Sequence, residues 1–156
     1  MTSVRAGALL ALAGLASAGC GSSTTDEPKA ARESDRPDDR ALAFDAPRSV
    51  ASRDGQVSFA WEPVGGRILV NEHFEVDVRI ARSDAAATPI TGAAVTMDFY
   101  MPDHGHGMLT QPQVEEVEDG LYRVRGLLLH MGGHWTVALN ATVHGLASTA
   151  DDAVDL

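Results

Sequence analysis

The chain has 156 residues, with 12 Lys and Arg against 22 Asp and Glu, and a net charge of −10. This length suits one domain with extensions, and the acidity excludes nucleic acid as a natural partner, since such binding rests on Lys and Arg neutralising phosphates. The single cysteine, Cys20, excludes an internal disulfide.

The front of the chain reads as a targeting segment. Arg5 is a short basic region, and Ala6 to Ala18 is an apolar run too short for an ordinary transmembrane helix. The run ends Leu15-Ala16-Ser17-Ala18-Gly19-Cys20. Small residues directly before the cysteine resemble a bacterial lipobox, in which Cys20 takes the lipid and becomes the new N-terminus. Ser17 stands where Leu is more usual. An ordinary secretory signal with an incidental cysteine is the other reading. Residues 1–19 are thus expected to be a lipoprotein-type signal peptide. The expected location is the bacterial envelope, lipid-anchored and extracytoplasmic. Gly21, where an Asp would act as a retention signal, favours the outer membrane if the host has two.

Residues 20–55 hold the lipidated cysteine and then a linker. Pro28, Pro37 and mixed charges from Asp26 to Arg40 leave few apolar residues before Leu42 and Phe44. Such composition buries too little surface to offset its ordering entropy.

Residues 56–156 are expected to form the folded domain, as strands. Gln56–Glu62 alternates with Val57, Phe59 and Trp61 on one face. His73–Ala81 repeats this with Phe74, Val76, Val78 and Ile80 inward. Asp84–Thr88 reads as a turn. Ala93–Met101 places Val95, Met97, Phe99 and Met101 on one face. Val114 and Val117 mark a short strand closed by Glu118-Asp119-Gly120. Leu121–Leu129 follows, with Tyr122, Val124 and Leu128 inward. The last long strand carries Trp135, Val137, Leu139, Ala141 and Val143 on its inner face. Six or seven short strands with turns between them, and no amphipathic helix, predict an all-β, immunoglobulin-like antiparallel sandwich. A barrel-like closure would give much the same pattern.

Two short segments carry the chemistry: Met101-Pro102-Asp103-His104-Gly105-His106-Gly107-Met108, and His130-Met131-Gly132-Gly133-His134. In an extended chain, residues two apart point the same way, so His104, His106 and Met108 can present together. Met101 is odd-spaced from them and reads as core. If the two segments meet at one end of the sandwich, His104, His106, Met108, His130 and Met131 form a donor set. Thioether sulfur is a good Cu(I) ligand and imidazole suits copper in both oxidation states. Zinc normally takes four His, Cys or carboxylate ligands. The plainer alternative makes these histidines polar loop residues, with His130 fixing a turn and Met131 filling the core. His73 and His144 read as surface histidines, and Trp61 and Trp135 as core anchors. No Gly-x-Ser-x-Gly elbow or phosphate loop supports an enzyme, and His104-Gly105-His106 is followed by Gly107-Met108, with no acidic residue where a second metal or a general base would be wanted.

The run Val95–Met108, then Gly120-Leu121-Tyr122, then Leu129–Trp135 resembles the YtkA-like domain family, which is related to the FixH-like proteins of respiratory-oxidase assembly. The resemblance spans roughly residues 56–145 and rests on Met-Pro-x-His-x-His, Gly-x-Tyr and the Met-Gly-Gly-x-Trp turn. It implies an extracytoplasmic immunoglobulin-like domain, often membrane-attached, with a role in copper handling or oxidase biogenesis. By motif it points to His104, His106, Met108, His130 and Met131. The transmembrane anchor of the FixH-like branch is replaced here by the lipobox-like signal. Two functions compete on this basis. One is a lipid-anchored copper binder, Cu(I) favoured. The other is a metal-free module that docks onto an envelope protein or membrane complex.

Overall fold

A computed structural model describes residues 41–156. The expected signal peptide, Cys20 and the linker up to Arg40 lie outside the described residues. Among the described residues eleven strands are formed: β1 (Ala41–Ala43), β2 (Arg48–Ala51), β3 (Val57–Pro63), β4 (Arg67–Leu69), β5 (His73–Arg82), β6 (Ala94–Met101), β7 (His106–Gly107), β8 (Gln113–Glu118), β9 (Leu121–Leu128), β10 (His134–Val143) and β11 (Leu146–Asp155). No helix of the described residues is long and apolar enough to cross a membrane.

The strands pair antiparallel in two large sheets, ordered β2-β3-β5-β9-β8 and β11-β10-β6-β7, with a small β1-β4 ribbon beside them. Alternation along each strand explains the layering. On one sheet Phe59, Trp61, Val76, Val78, Ile80, Tyr122 and Val124 are buried; on the other Val95, Met97, Phe99, Met101, Trp135, Val137 and Leu139 are. Aromatic rings join the layers edge-on, with Trp61 and Phe99 6.2 Å apart and Phe74 and Phe99 6.0 Å apart. Such geometry suits the ring quadrupoles. The chain is therefore the all-β antiparallel sandwich its periodicity predicts.

Four details depart from expectation. First, residues 41–55, whose composition predicts linker, belong to the fold as far as β1 and β2 are concerned. Leu42 and Phe44 pack on the core, and the Phe44 ring lies 5.3 Å from that of Trp61. Residues 48–54 then tie the two sheets along one side. Arg48 donates two hydrogen bonds to Asp152 at 2.7 and 2.6 Å, Arg53 donates through its side chain to Asp151, and the Arg53 N–H donates to the Thr149 carbonyl. These partners sit about a hundred positions away, so local composition is blind to them.

Second, β11 has no signature in the apolar periodicity. Its sequence, Leu-Ala-Ser-Thr-Ala-Asp-Asp-Ala-Val-Asp, buries only Ala150 and Val154. It is an edge strand, recruited by full-length pairing with β10. Third, the short strands β4 and β7 carry too few residues to show a period. Fourth, Leu128 does not face the core; Leu127 and Leu129 do. The β5–β9 register shifts between Phe74 and Val76, opposite Gly126, whose φ is 81°. A bulge of this kind adds one residue and reverses the parity beyond it.

Two connections bring the histidine-bearing segments together. Between β6 and β8 the chain passes from one sheet to the other through β7. Between β9 and β10 it crosses back through His130–Gly133. Both crossings lie at the end of the sandwich where β6 finishes and β10 begins, as the Tyr100–Thr136 pairing requires.

Candidate metal centre

The first crossing is a tight hairpin. Pro102–Gly105 form the turn, with the Gly105 N–H donating to the Met101 carbonyl at 2.9 Å and Gly105 at φ 68°. The chain then returns as β7, where His106 pairs with Met101 and Gly107 with Tyr100. Hairpin pairing thus replaces the extended run predicted for residues 104–108. His104 sits in the turn and is exposed, whereas His106 and Met108 are half-buried. Met108 packs against the core, its N–H donating to the Phe99 carbonyl at 3.2 Å.

The second crossing brings His130 against His106. Their ring centroids are 4.9 Å apart with planes inclined by 35°. His104 stands at the rim, 5.8 Å from His106 by ring centroid. Trp135, fully buried, forms the wall behind the pair, with its ring 6.0 Å from His106 and 5.7 Å from His130. Its indole N–H donates to the Met131 carbonyl at 3.1 Å, which fixes the turn. Met131 itself is half-buried against the core. The predicted core anchor Trp135 therefore also shapes the histidine pair.

The nitrogens are informative. His130 Nδ1 is buried without a hydrogen-bond partner. An unpaired buried polar atom costs its desolvation and calls for an explanation. His106 Nδ1 lies 3.3 Å from the Gly107 carbonyl. A proton on that nitrogen points to the carbonyl and leaves the lone pair on Nε2, the form that ligates metals.

The other histidines stand apart. His134 Nδ1 is 2.8 Å from Asp155 Oδ1 in an exposed pair. His73 is exposed on β5, and His144 lies in the β10–β11 turn with φ 49°. Among the described residues, no three of His, Cys, Asp and Glu are placed to hold a metal ion together. The site thus offers two adjoining imidazoles, a third at the rim and thioethers close in sequence. That set is poor for zinc, which wants four His, Cys or carboxylate ligands, and suited to a soft ion of low coordination number.

Residues 66–140 match the model of the YtkA-like family. The chain carries a YtkA-like domain. The match includes both crossings and both members of the His106–His130 pair, and it ends within β10. No curated protein and no solved structure matches the chain.

Proposed function

We propose that this YtkA-like protein binds Cu(I) at the crossing end of its sandwich and acts in metal handling or oxidase biogenesis in the cell envelope, held there by lipid on Cys20. The observation that carries the reading is the His106–His130 pair, 4.9 Å between ring centroids, with an unpartnered buried nitrogen on His130. When bound, copper would supply the exchangeable soft cation. The chain's own residues would hold it, keep its coordination low and screen it with the Trp135 wall. His104, exposed at the rim, would receive the ion first.

The experiment is a competition titration of Cu(I) against a chromophoric chelator. The expected result is binding of one Cu(I) per chain, weakened by about tenfold or more when His106 and His130 are both changed to Ala. Equal affinity in the double variant would refute the site.

A second reading, a metal-free module docking on a membrane complex, is favoured by the exposed Tyr100 and Leu109 beside the same loop, 47% and 80% accessible. It requires that Cu(I) leave the melting temperature unchanged, whereas an ion bound only by the folded state raises it.

A further inference from the structure

Two imidazoles seldom complete a copper site, and of the thioethers legible from the motif neither Met108 nor Met131 is a cross-strand partner of His106. Met101 is placed differently. It is the direct cross-strand partner of His106, so both side chains leave the same face of the hairpin. On the other side of β6, Tyr100 pairs with Thr136. Met101 and Trp135 each stand one residue beyond that pair, and both are buried, at 1% and 0% exposure. His106 and Trp135 therefore flank Met101 in register, and their rings are 6.0 Å apart.

The second crossing also closes on Met101. A Cβ at Gly133 would stand 3.0 Å from the Met101 Cε and 3.9 Å from its Sδ. Gly133 holds φ 136°, a conformation that a side chain resists. The glycine turn beside His130 is thus shaped around the thioether of Met101.

We propose that Met101 supplies a thioether donor to an ion held by His106 and His130, and that this sulfur makes the site select Cu(I) over Cu(II). The inference rests on the metal reading above and adds a ligand to it. A thioether is a soft donor, so its loss weakens Cu(I) far more than Cu(II), whose imidazole ligands remain. Gly133 has the supporting role of leaving room for the end methyl of Met101, next to the sulfur.

The test uses Met101→Leu, a volume-conserving exchange that cores tolerate. The expected result is an affinity for Cu(I) lowered by about tenfold or more with Cu(II) affinity held within about twofold. Unchanged Cu(I) affinity in the variant, alongside a wild type that binds Cu(I), overturns the Met101 assignment alone. A wild type that binds no Cu(I) overturns the metal reading and the assignment with it. A second measurement is independent of how Met101→Leu folds: X-ray absorption of the Cu(I)-loaded double variant Met108→Leu/Met131→Leu. Persistence of a sulfur shell supports Met101 as donor, and a shell of nitrogen alone overturns it.

Discussion

At the residue scale, the clearest structural commitment is Asp152. Burial alone would raise its carboxyl, but hydrogen bonds from Arg48, the Ala153 N–H and the Trp61 indole, with the charge of Arg48, hold it below the ordinary value of 3.8. A carboxyl lowered in the folded state contributes stability that is fully present above its unfolded value. That contribution is lost as pH falls through the folded value. Asp152→Asn is therefore expected to destabilise the domain at neutral pH by about 1–3 kcal/mol. It should also flatten the loss of stability below about pH 4. Chemical denaturation of both proteins across pH checks this. A variant with wild-type stability and the same acid limb would show that the bridge contributes nothing. Residue identity alone makes Asp152 one acid among many; only the pairing of β11 brings it to Arg48 and Trp61.

At the scale of elements, hairpin and bulge geometry decides what periodicity cannot. Met101 and His106 are five positions apart, and on one extended strand they would face opposite ways. The four-residue turn Pro102–Gly105 folds them into a cross-strand pair, so they face the same way. Likewise Gly126 inserts a residue and exchanges Leu128 for Leu127 and Leu129 in the core. The long alternating strands β3, β5, β6 and β10 are legible in the sequence because each buries a full set of large apolar residues. β1, β2 and β11 are not, because their places depend on partners distant in the chain. A protein beginning at Gln56 would lose Phe44 from Trp61 and Arg48 from Asp152. It is expected to melt well below one beginning at Ala41, by about 10 °C or more if about 2 kcal/mol is lost. Calorimetry on the two chains decides it, and coincident melting would place β1 and β2 outside the cooperative fold.

For the whole molecule, the sandwich works as a frame whose two chain crossings share one end. That placement, and not the His-x-His spacing alone, sets His130 against His106. The motif identifies the donors; the sheet topology selects among them, leaving His104 at the rim and setting His134 in its pair with Asp155. The proposed lipid anchor belongs to this scale as well, since it sets where such a site would work. Cys20→Ser is expected to release the protein from the membrane fraction and to remove the mass of the acyl chains. Continued membrane fractionation of that variant would dismiss lipidation as the attachment.

The most direct test of a shared site is nuclear magnetic resonance of the protein with 15N-labelled histidine, recorded as Cu(I) is added. The imidazole signals of His106 and His130 are expected to shift together and saturate at one equivalent, with His73, His134 and His144 unmoved. Shifts confined to one of the pair, or equal shifts across all the histidines, would contradict a copper site built from the two crossings.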